Sequence, residues 1–106
     1  DLLFVRQARI ADIATPKAIT GAPDLIVEIL SPGTVRHDRS IKYAAYEEAG
    51  VSELWLVDPK RMTIEVYGLE GGAYQTMGAW GKGAVAASHV LPGWRVAVDD
   101  VFAPLA

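Results

Sequence analysis

The sequence predicts a mixed α/β domain, and three stretches of the chain carry this prediction. Residues 25–30 form an apolar run, interrupted by one carboxylate and bounded by turn-forming residues, which is typical of a strand buried on both faces. A helix is predicted over residues 38–49, because Asp38 is a suitable N-cap and Gly50 follows its last turn. A second apolar strand is predicted over residues 53–57. Such a strand–helix–strand unit predicts a right-handed crossover between parallel strands.

The remainder of the chain is predicted to consist of strands joined by turns. A short apolar strand over residues 2–6 opens the chain, and residues 7–22 connect it to the strand at 25–30, with a helical turn at residues 8–12. After residue 59 the alternation of apolar and polar residues is typical of a β-meander. Its predicted elements are strands over residues 63–67, 74–77, 85–89 and 94–98 and a turn near residues 101–102.

Composition limits the classes of protein that fit. With 106 residues and 51% hydrophobic content, the chain is expected to be one domain, residues 1–106, with its own core. The absence of cysteine excludes disulfides, thiolate metal sites and cysteine nucleophiles, and the formal charge of −3 argues against a generally basic DNA-binding surface. No apolar stretch approaches the roughly 18 residues of a membrane span, so a cytoplasmic protein is expected. Because the chain starts without Met inside an apparent strand, we expect it to be the C-terminal part of a longer polypeptide.

Glu28 is the first candidate functional residue. Strand alternation places Ile26, Glu28 and Leu30 on one face of the predicted strand at residues 25–30. An ionised carboxylate on an apolar surface is costly unless it is paired with a cation or bound to a metal. Glu28 therefore needs a partner. The alternative is a buried glutamate that is satisfied by an arginine or lysine and takes part in no chemistry.

Asp1 is the carboxylate best placed to join Glu28. Asp24 lies four residues before Glu28, about 13 Å away along an extended strand, which is too far for both to bind one cation. Asp1 opens a strand that could lie beside the strand of Glu28, about 4.8 Å away. Two carboxylates on adjacent strands could bind one hard cation such as Mg²⁺ or Mn²⁺. In the alternative interpretation Asp1 is an ordinary carboxylate at a strand edge.

Lys42 is the third candidate. On the predicted helix, Asp38, Lys42 and Tyr46 recur at a spacing of four and form one polar stripe. The predicted packing face of the same helix comprises Ile41, Ala44 and Ala45. A helix that directly follows the strand could aim the Lys42 ammonium at the strand's C-terminal end, where it could orient a water or offset phosphate charge. The alternative is an exposed ion pair between Lys42 and Asp38.

Several other residues have assignable roles. Arg36, His37 and Arg39 form a small basic patch at the start of the helix, and this patch could contact nucleic-acid phosphates. Asp58, before Pro59, is predicted to be a turn residue. His37 and His89 stand apart from other ligand types, which predicts surface or packing positions, and the tryptophans are predicted to pack in or around the core. The tryptophans are Trp55, Trp80 and Trp94.

Two segments and the residues between them resemble a known family. The segments are APDLIVEILSP (residues 22–32) and GVSELWLVDP (residues 50–59), with Asp38, Lys42 and Tyr46 between them. They resemble the Uma2 family (DUF820), a bacterial group of restriction-endonuclease-like proteins with the PD-(D/E)XK nuclease fold. The resemblance implies a restriction-endonuclease-like core, here lacking its N-terminal elements, with a C-terminal β-meander.

The resemblance also implies a metal-dependent nuclease site. Its aspartate corresponds to Asp1 and its second acidic residue to Glu28, and both would hold Mg²⁺ or Mn²⁺. The usual lysine position two residues later is Leu30 here, and a lysine on the following helix, Lys42, matches instead. The catalytic residues implied are thus Asp1, Glu28 and Lys42.

We therefore expect a Mg²⁺-dependent endonuclease that hydrolyses phosphodiester bonds in DNA, with Arg36, His37 and Arg39 contacting the nucleic acid. Two alternatives remain open. One is a catalytically inactive interaction module of the same fold, and the other is a nucleic-acid-binding module without turnover. A homodimer is also expected, because apolar strands near the N-terminus and the hairpin at residues 63–77 would be exposed.

Overall fold

The computed structural model describes residues 2–4, 22–30 and 35–103, and within these ranges the chain forms two sheets and two helices. The strands of the main sheet lie in the order β1 (Leu2–Phe4), β2 (Leu25–Ile29), β3 (Glu53–Asp58), β4 (Thr63–Glu70) and β5 (Ala73–Trp80). Helix α1 (Val35–Ala49) connects β2 to β3. A small sheet of β6 (Val85–Ala87) and β7 (Arg95–Ala97) is followed by helix α2 (Val98–Phe102).

The strand–helix–strand unit has the predicted direction. Strands β2 and β3 are parallel, with Glu28 opposite Leu56, whereas the other neighbours in the main sheet are antiparallel. The prediction of a mixed sheet with one crossover helix is therefore confirmed. Gly50 ends α1 with φ 85°, the left-handed conformation that glycine adopts without steric cost.

The predicted element boundaries need correction in several places. Helix α1 begins at Val35, so the predicted start at Asp38 is wrong. Strands β4 and β5 are longer than predicted, because their antiparallel ladder continues to the pair Glu70 and Ala73 at the turn. The predicted turn near residues 101–102 is the end of helix α2. Neither helix in these ranges has the length and apolar character of a membrane span.

The main sheet has a core on each face. Along β2, Leu25 belongs to one buried cluster, and Ile26, followed by Leu30 just beyond the strand, belongs to the other, which confirms the predicted alternation. The β6–β7 sheet and α2 cover the Leu25 face, where Trp55 stacks on Trp94 with ring centroids 4.7 Å apart. The predicted packing role of the tryptophans is confirmed, since Trp80 also packs against this cluster.

Helix α1 covers the opposite face of the sheet, and it does so with tyrosines. Tyr43 and Tyr46 pack against the cluster that contains Ile26 and Leu30. The predicted packing face was wrong: Ile41 is 53% exposed, and Ala44 and Ala45 are also exposed. The tyrosine rings bury more apolar area than the alanines would, and their hydroxyls reach polar partners on the sheet.

Glu53 anchors the C-terminal segment to the main sheet. Its side chain, 1% exposed at the start of β3, accepts four hydrogen bonds. The Trp55 indole and the Ser88 hydroxyl donate to Oε2 at 2.8 and 2.6 Å. The amides of His89 and Val90 donate to Oε1 at 2.8 and 3.1 Å. The carboxylate thus joins β3 to the loop between β6 and β7.

We predict that Glu53→Gln destabilises the fold by about 3 kcal/mol. The amide group keeps the size of the side chain, but its NH₂ would face hydrogen-bond donors and could not accept from them. Urea unfolding would measure the loss. The matched control is Glu70→Gln at the exposed end of β4, which should change stability by no more than about 0.5 kcal/mol. Equal unfolding midpoints for the two variants would contradict this role of Glu53.

Candidate functional site

The candidate site lies where the middle of β2 faces helix α1. Glu28 is 5% exposed and shares its face of β2 with Ile26. Its neighbour on β3 is Leu56, and the neighbour of Leu56 on β4 is Glu65. The adjacent position on β3 is therefore apolar, and the polar partners of the Glu28 carboxylate come from the helix.

Two residues of α1, one helical turn apart, donate to Glu28. The Lys42 ammonium lies 2.8 Å from Oε2, and the Tyr46 hydroxyl donates to Oε1. Residues four apart lie on the same side of a helix, so one helix face supplies both donors. The Lys42 side chain is 38% exposed. The ion pair therefore lies at the boundary between the core and solvent.

The electrostatics of the site keep Tyr46 protonated. Burial raises the pKa of Tyr46 to about 12, and the hydrogen bond to Glu28 and the negative charge of Glu28 act in the same direction. At neutral pH the Tyr46 hydroxyl is therefore a neutral donor. Lys42 supplies the positive charge that compensates the carboxylate.

Glu28 retains the capacity to bind a cation. A carboxylate oxygen can accept about two hydrogen bonds, and each oxygen of Glu28 has one donor among the described residues. Mg²⁺ is commonly bound by one or two carboxylates together with waters and substrate phosphates. Glu28 fits the role of one such ligand. Residues 2–4, 22–30 and 35–103 contain no group of three or more His, Cys, Asp or Glu side chains that could hold a metal.

The structure brings together two of the predicted catalytic residues, Glu28 and Lys42. The third, Asp1, lies outside the described residues. Arg36, His37 and Arg39 are in the first turns of α1, and their side chains lie outside the description, as does that of Asp38. Their predicted roles stay predictions.

Two residues outside the site have the roles expected from the sequence. The Asp58 side chain accepts hydrogen bonds from the backbone amides of Lys60 and Arg61 at 3.0 and 3.2 Å, which confirms it as a turn residue. His89 is exposed, so it has the first of the two predicted positions, surface or packing.

Comparison with known proteins identifies the family. The Uma2 family model, whose description is "Putative restriction endonuclease", matches residues 1–99. The chain belongs to the Uma2 family. No curated protein matches the sequence significantly.

A solved structure has a similar fold. It is described as a putative nuclease belonging to DUF820 from Anabaena variabilis ATCC 29413, and it matches with a TM-score of 0.67 at 21% sequence identity. The match covers 91% of this chain and 56% of that chain, so the Uma2 chain spans little more than half the length of its structural neighbour. The predicted fold class is confirmed by this likeness.

Tyr46 is the residue of the Uma2 site whose contact with Glu28 the sequence did not predict. The sequence placed Tyr46 four residues after Lys42, on the same polar face of the helix. It did not predict that the Tyr46 hydroxyl would donate to Glu28. The sequence feature that could have indicated this contact is the tyrosine side chain itself, because it combines an apolar ring, which can be buried, with a hydroxyl donor. A similar contact occurs elsewhere on the sheet, where the Tyr67 hydroxyl donates to Glu65 at 2.6 Å.

We predict that Tyr46 titrates near pH 12, above its ordinary pKa of 10.0. Because the folded state holds this proton more tightly than the unfolded state, the resulting stabilisation is complete below about pH 10 and disappears as the pH rises through 12. Glu28→Gln should lower the pKa of Tyr46 but leave it above 10.0, since burial is the largest cause. Tyrosine ¹³Cζ NMR would follow the titration.

The matched control for this titration is Glu65→Gln, which removes the carboxylate bonded to Tyr67 and leaves the Tyr46 contact intact. It should not move the pKa of Tyr46. Titration of Tyr46 near pH 10 in the unmodified protein would contradict both its burial and its contact with Glu28, and an unchanged pKa of Tyr46 in Glu28→Gln would contradict the contact alone.

Proposed function

We propose that this Uma2 chain carries the active site of a Mg²⁺-dependent endonuclease that hydrolyses phosphodiester bonds in DNA. One observation carries the proposal: Glu28, buried on β2, is held by Lys42 and Tyr46 from α1, and each of its carboxylate oxygens has a single donor in the part of the chain that the structure describes. Two descriptions support the same class of activity: the family is described as "Putative restriction endonuclease", and the similar solved structure as a "putative nuclease".

Asp1 and Glu28 are the proposed metal ligands, for Mg²⁺ or Mn²⁺. The register of the sheet supports the inclusion of Asp1. Leu2 lies opposite Val27 in the antiparallel β1–β2 pair, so the strand that Asp1 precedes in the sequence lies beside the strand of Glu28. When bound, the metal would lower the pKa of a coordinated water and neutralise phosphate charge.

Lys42 is the proposed second catalytic group. Its ammonium contacts Glu28, and more than a third of its side chain is exposed, so it can reach both the metal ligand and a substrate in solvent. There it would position the attacking water or stabilise the negative charge of the pentavalent phosphate.

The basic residues at the start of α1 are the proposed DNA contacts. Arg39 precedes Lys42 by three residues, about 4.5 Å along the helix axis, and Arg36 and His37 lie one turn further toward the N-terminus. The same helix would thus present the catalytic lysine and, on the N-terminal side of that lysine, bind the phosphate backbone.

We predict that Glu28→Gln and Lys42→Met each lower Mg²⁺-dependent cleavage of plasmid DNA by about 100-fold or more, because each removes a charge that acts on the reacting phosphate. Initial rates on supercoiled plasmid would measure the effect. The matched controls are Glu70→Gln and Lys60→Met, which change the same residue types at exposed positions and should keep the activity of the unmodified protein. Equal activity of Glu28→Gln and Glu70→Gln would refute the proposed site.

We also predict that the double variant Arg36→Ala, Arg39→Ala weakens DNA binding on all sequences. Loss of two phosphate contacts should reduce the slope of log affinity against log salt concentration by about 1.8. Fluorescence anisotropy with a labelled duplex at several salt concentrations would measure this slope. Arg95→Ala on β7, an exposed arginine distant in sequence from α1, serves as the control and should leave the slope unchanged.

The alternative is a non-catalytic module of the same fold. Two observations favour it: the formal charge is −3, and the ion pair with Lys42 compensates Glu28 without a metal. An interaction module would show no heat of binding when titrated with Mg²⁺ or Mn²⁺.

A nucleic-acid-binding module without turnover would bind DNA with a steep salt dependence that survives Glu28→Gln. The homodimer stays a prediction.

A further inference from the structure

We propose that Tyr46 is a positioning residue for Glu28: its hydroxyl fixes the orientation of the carboxylate that binds the metal. This inference rests on the proposed function, since it assigns Tyr46 a role at the same site. Tyr46 would not contact the metal or the DNA and would act through Glu28 alone.

The first observation is the division of donors between the two oxygens. Tyr46 donates to Oε1 and Lys42 to Oε2. The last side-chain torsion of a glutamate is broad, so a carboxylate with one donor can still rotate. Two donors on different oxygens define the plane of the carboxylate. The orientation of Glu28 is therefore set before any ligand arrives, which lowers the cost of binding.

The second observation is that Tyr46 is the stiffer of the two donors. Its ring packs against the buried cluster that contains Ile26 and Leu30, and a tyrosine side chain has only two main torsions. Lys42 has a flexible four-carbon stem and is 38% exposed. If Lys42 turns toward a phosphate during the reaction, Tyr46 is the contact that continues to hold Glu28.

The third observation is a second tyrosine on α1 that serves as an internal comparison. Tyr43 packs against Tyr67 and Tyr74, with ring centroids 5.1 and 5.2 Å apart, and its hydroxyl donates to the Tyr74 carbonyl at 3.4 Å. It therefore binds the helix to β4 and β5 rather than to Glu28. Tyr43→Phe and Tyr46→Phe both remove one hydroxyl from the same helix, and they differ in whether Glu28 loses a donor.

The test compares these two variants in metal binding. Outer partners of metal ligands commonly contribute 10- to 100-fold to metal affinity, so Tyr46→Phe should weaken Mn²⁺ binding, measured by calorimetry, by about 10-fold or more. The Mg²⁺ concentration that gives half-maximal cleavage by Tyr46→Phe should rise by a similar factor. The cleavage rate at saturating Mg²⁺ should fall by a smaller factor. Tyr43→Phe should bind Mn²⁺ as the unmodified protein does.

A second readout needs no metal. The side-chain carboxyl ¹³C resonance of Glu28, assigned through Glu28→Gln, should shift in Tyr46→Phe and stay in place in Tyr43→Phe. A purely structural tyrosine would change the melting temperature without changing this resonance selectively.

The outcomes separate the two proposals. Weaker Mn²⁺ binding and a shifted Glu28 resonance in Tyr46→Phe alone support the positioning role. Unchanged or tighter Mn²⁺ binding by Tyr46→Phe overturns it, while Glu28-dependent cleavage by the unmodified protein would leave the proposed function standing. An unmodified protein that binds neither Mn²⁺ nor Mg²⁺ overturns both.

Discussion

Burial of the Glu28 carboxylate between β2 and α1 is the constraint on which the candidate site depends. Removal of a charge from water is tolerated only when hydrogen bonds and an opposite charge replace the lost hydration. Here both come from one face of one helix, through Lys42 and Tyr46. The ion pair between Glu28 and Lys42 has to be maintained, because loss of Lys42 would leave the buried charge of Glu28 uncompensated. The connection from β2 to α1 therefore has to fix both the position of the helix and its rotation about its own axis.

Comparison with the second buried glutamate on the neighbouring strand helps to distinguish structure from chemistry. Each oxygen of Glu53 accepts two hydrogen bonds, so its acceptor capacity is used completely within the protein. Within residues 2–4, 22–30 and 35–103, each oxygen of Glu28 accepts one. Glu53 also receives its donors from buried groups such as Ser88, whereas Glu28 meets a lysine that extends into solvent. Because all acceptor positions of Glu53 are used within the protein, this residue is suited to joining two parts of the fold. Glu28 has unused acceptor positions among the described residues and can therefore bind a further ligand.

The sequence predicted the parts of this arrangement that depend on local pattern. The charged residue Glu28 within an apolar strand indicated that the carboxylate has a partner. The position of Lys42 on the helix that follows this strand indicated that its ammonium could reach Glu28. The alternation of β2 and the parallel direction of β3 followed from the same local rules. The role of Glu53 could not be predicted in this way, because its donors at Ser88, His89 and Val90 lie 35–37 residues away in the chain.

The rotation of α1 was the substantial error, and its cause is physical. A pattern that separates apolar from polar residues assigns Ile41 and the alanines to the core. It undervalues tyrosine, whose ring can be buried while the hydroxyl finds an acceptor. Tyr43 and Tyr46 do both, and Ile41 is left exposed. The hydroxyl partners, a backbone carbonyl on β5 and a carboxylate on β2, are features of the assembled sheet that periodicity does not encode.

The β-meander supports the site through the same helix. Tyr43 packs against rings on β4 and β5, and Glu47 accepts the Tyr74 amide at 2.8 Å. These contacts fix the rotation of α1 about its axis. Successive helical residues differ by about 100°, so a displacement of one position would turn Lys42 and Tyr46 away from Glu28. The hairpin therefore contributes to the geometry of the site through its contacts with α1.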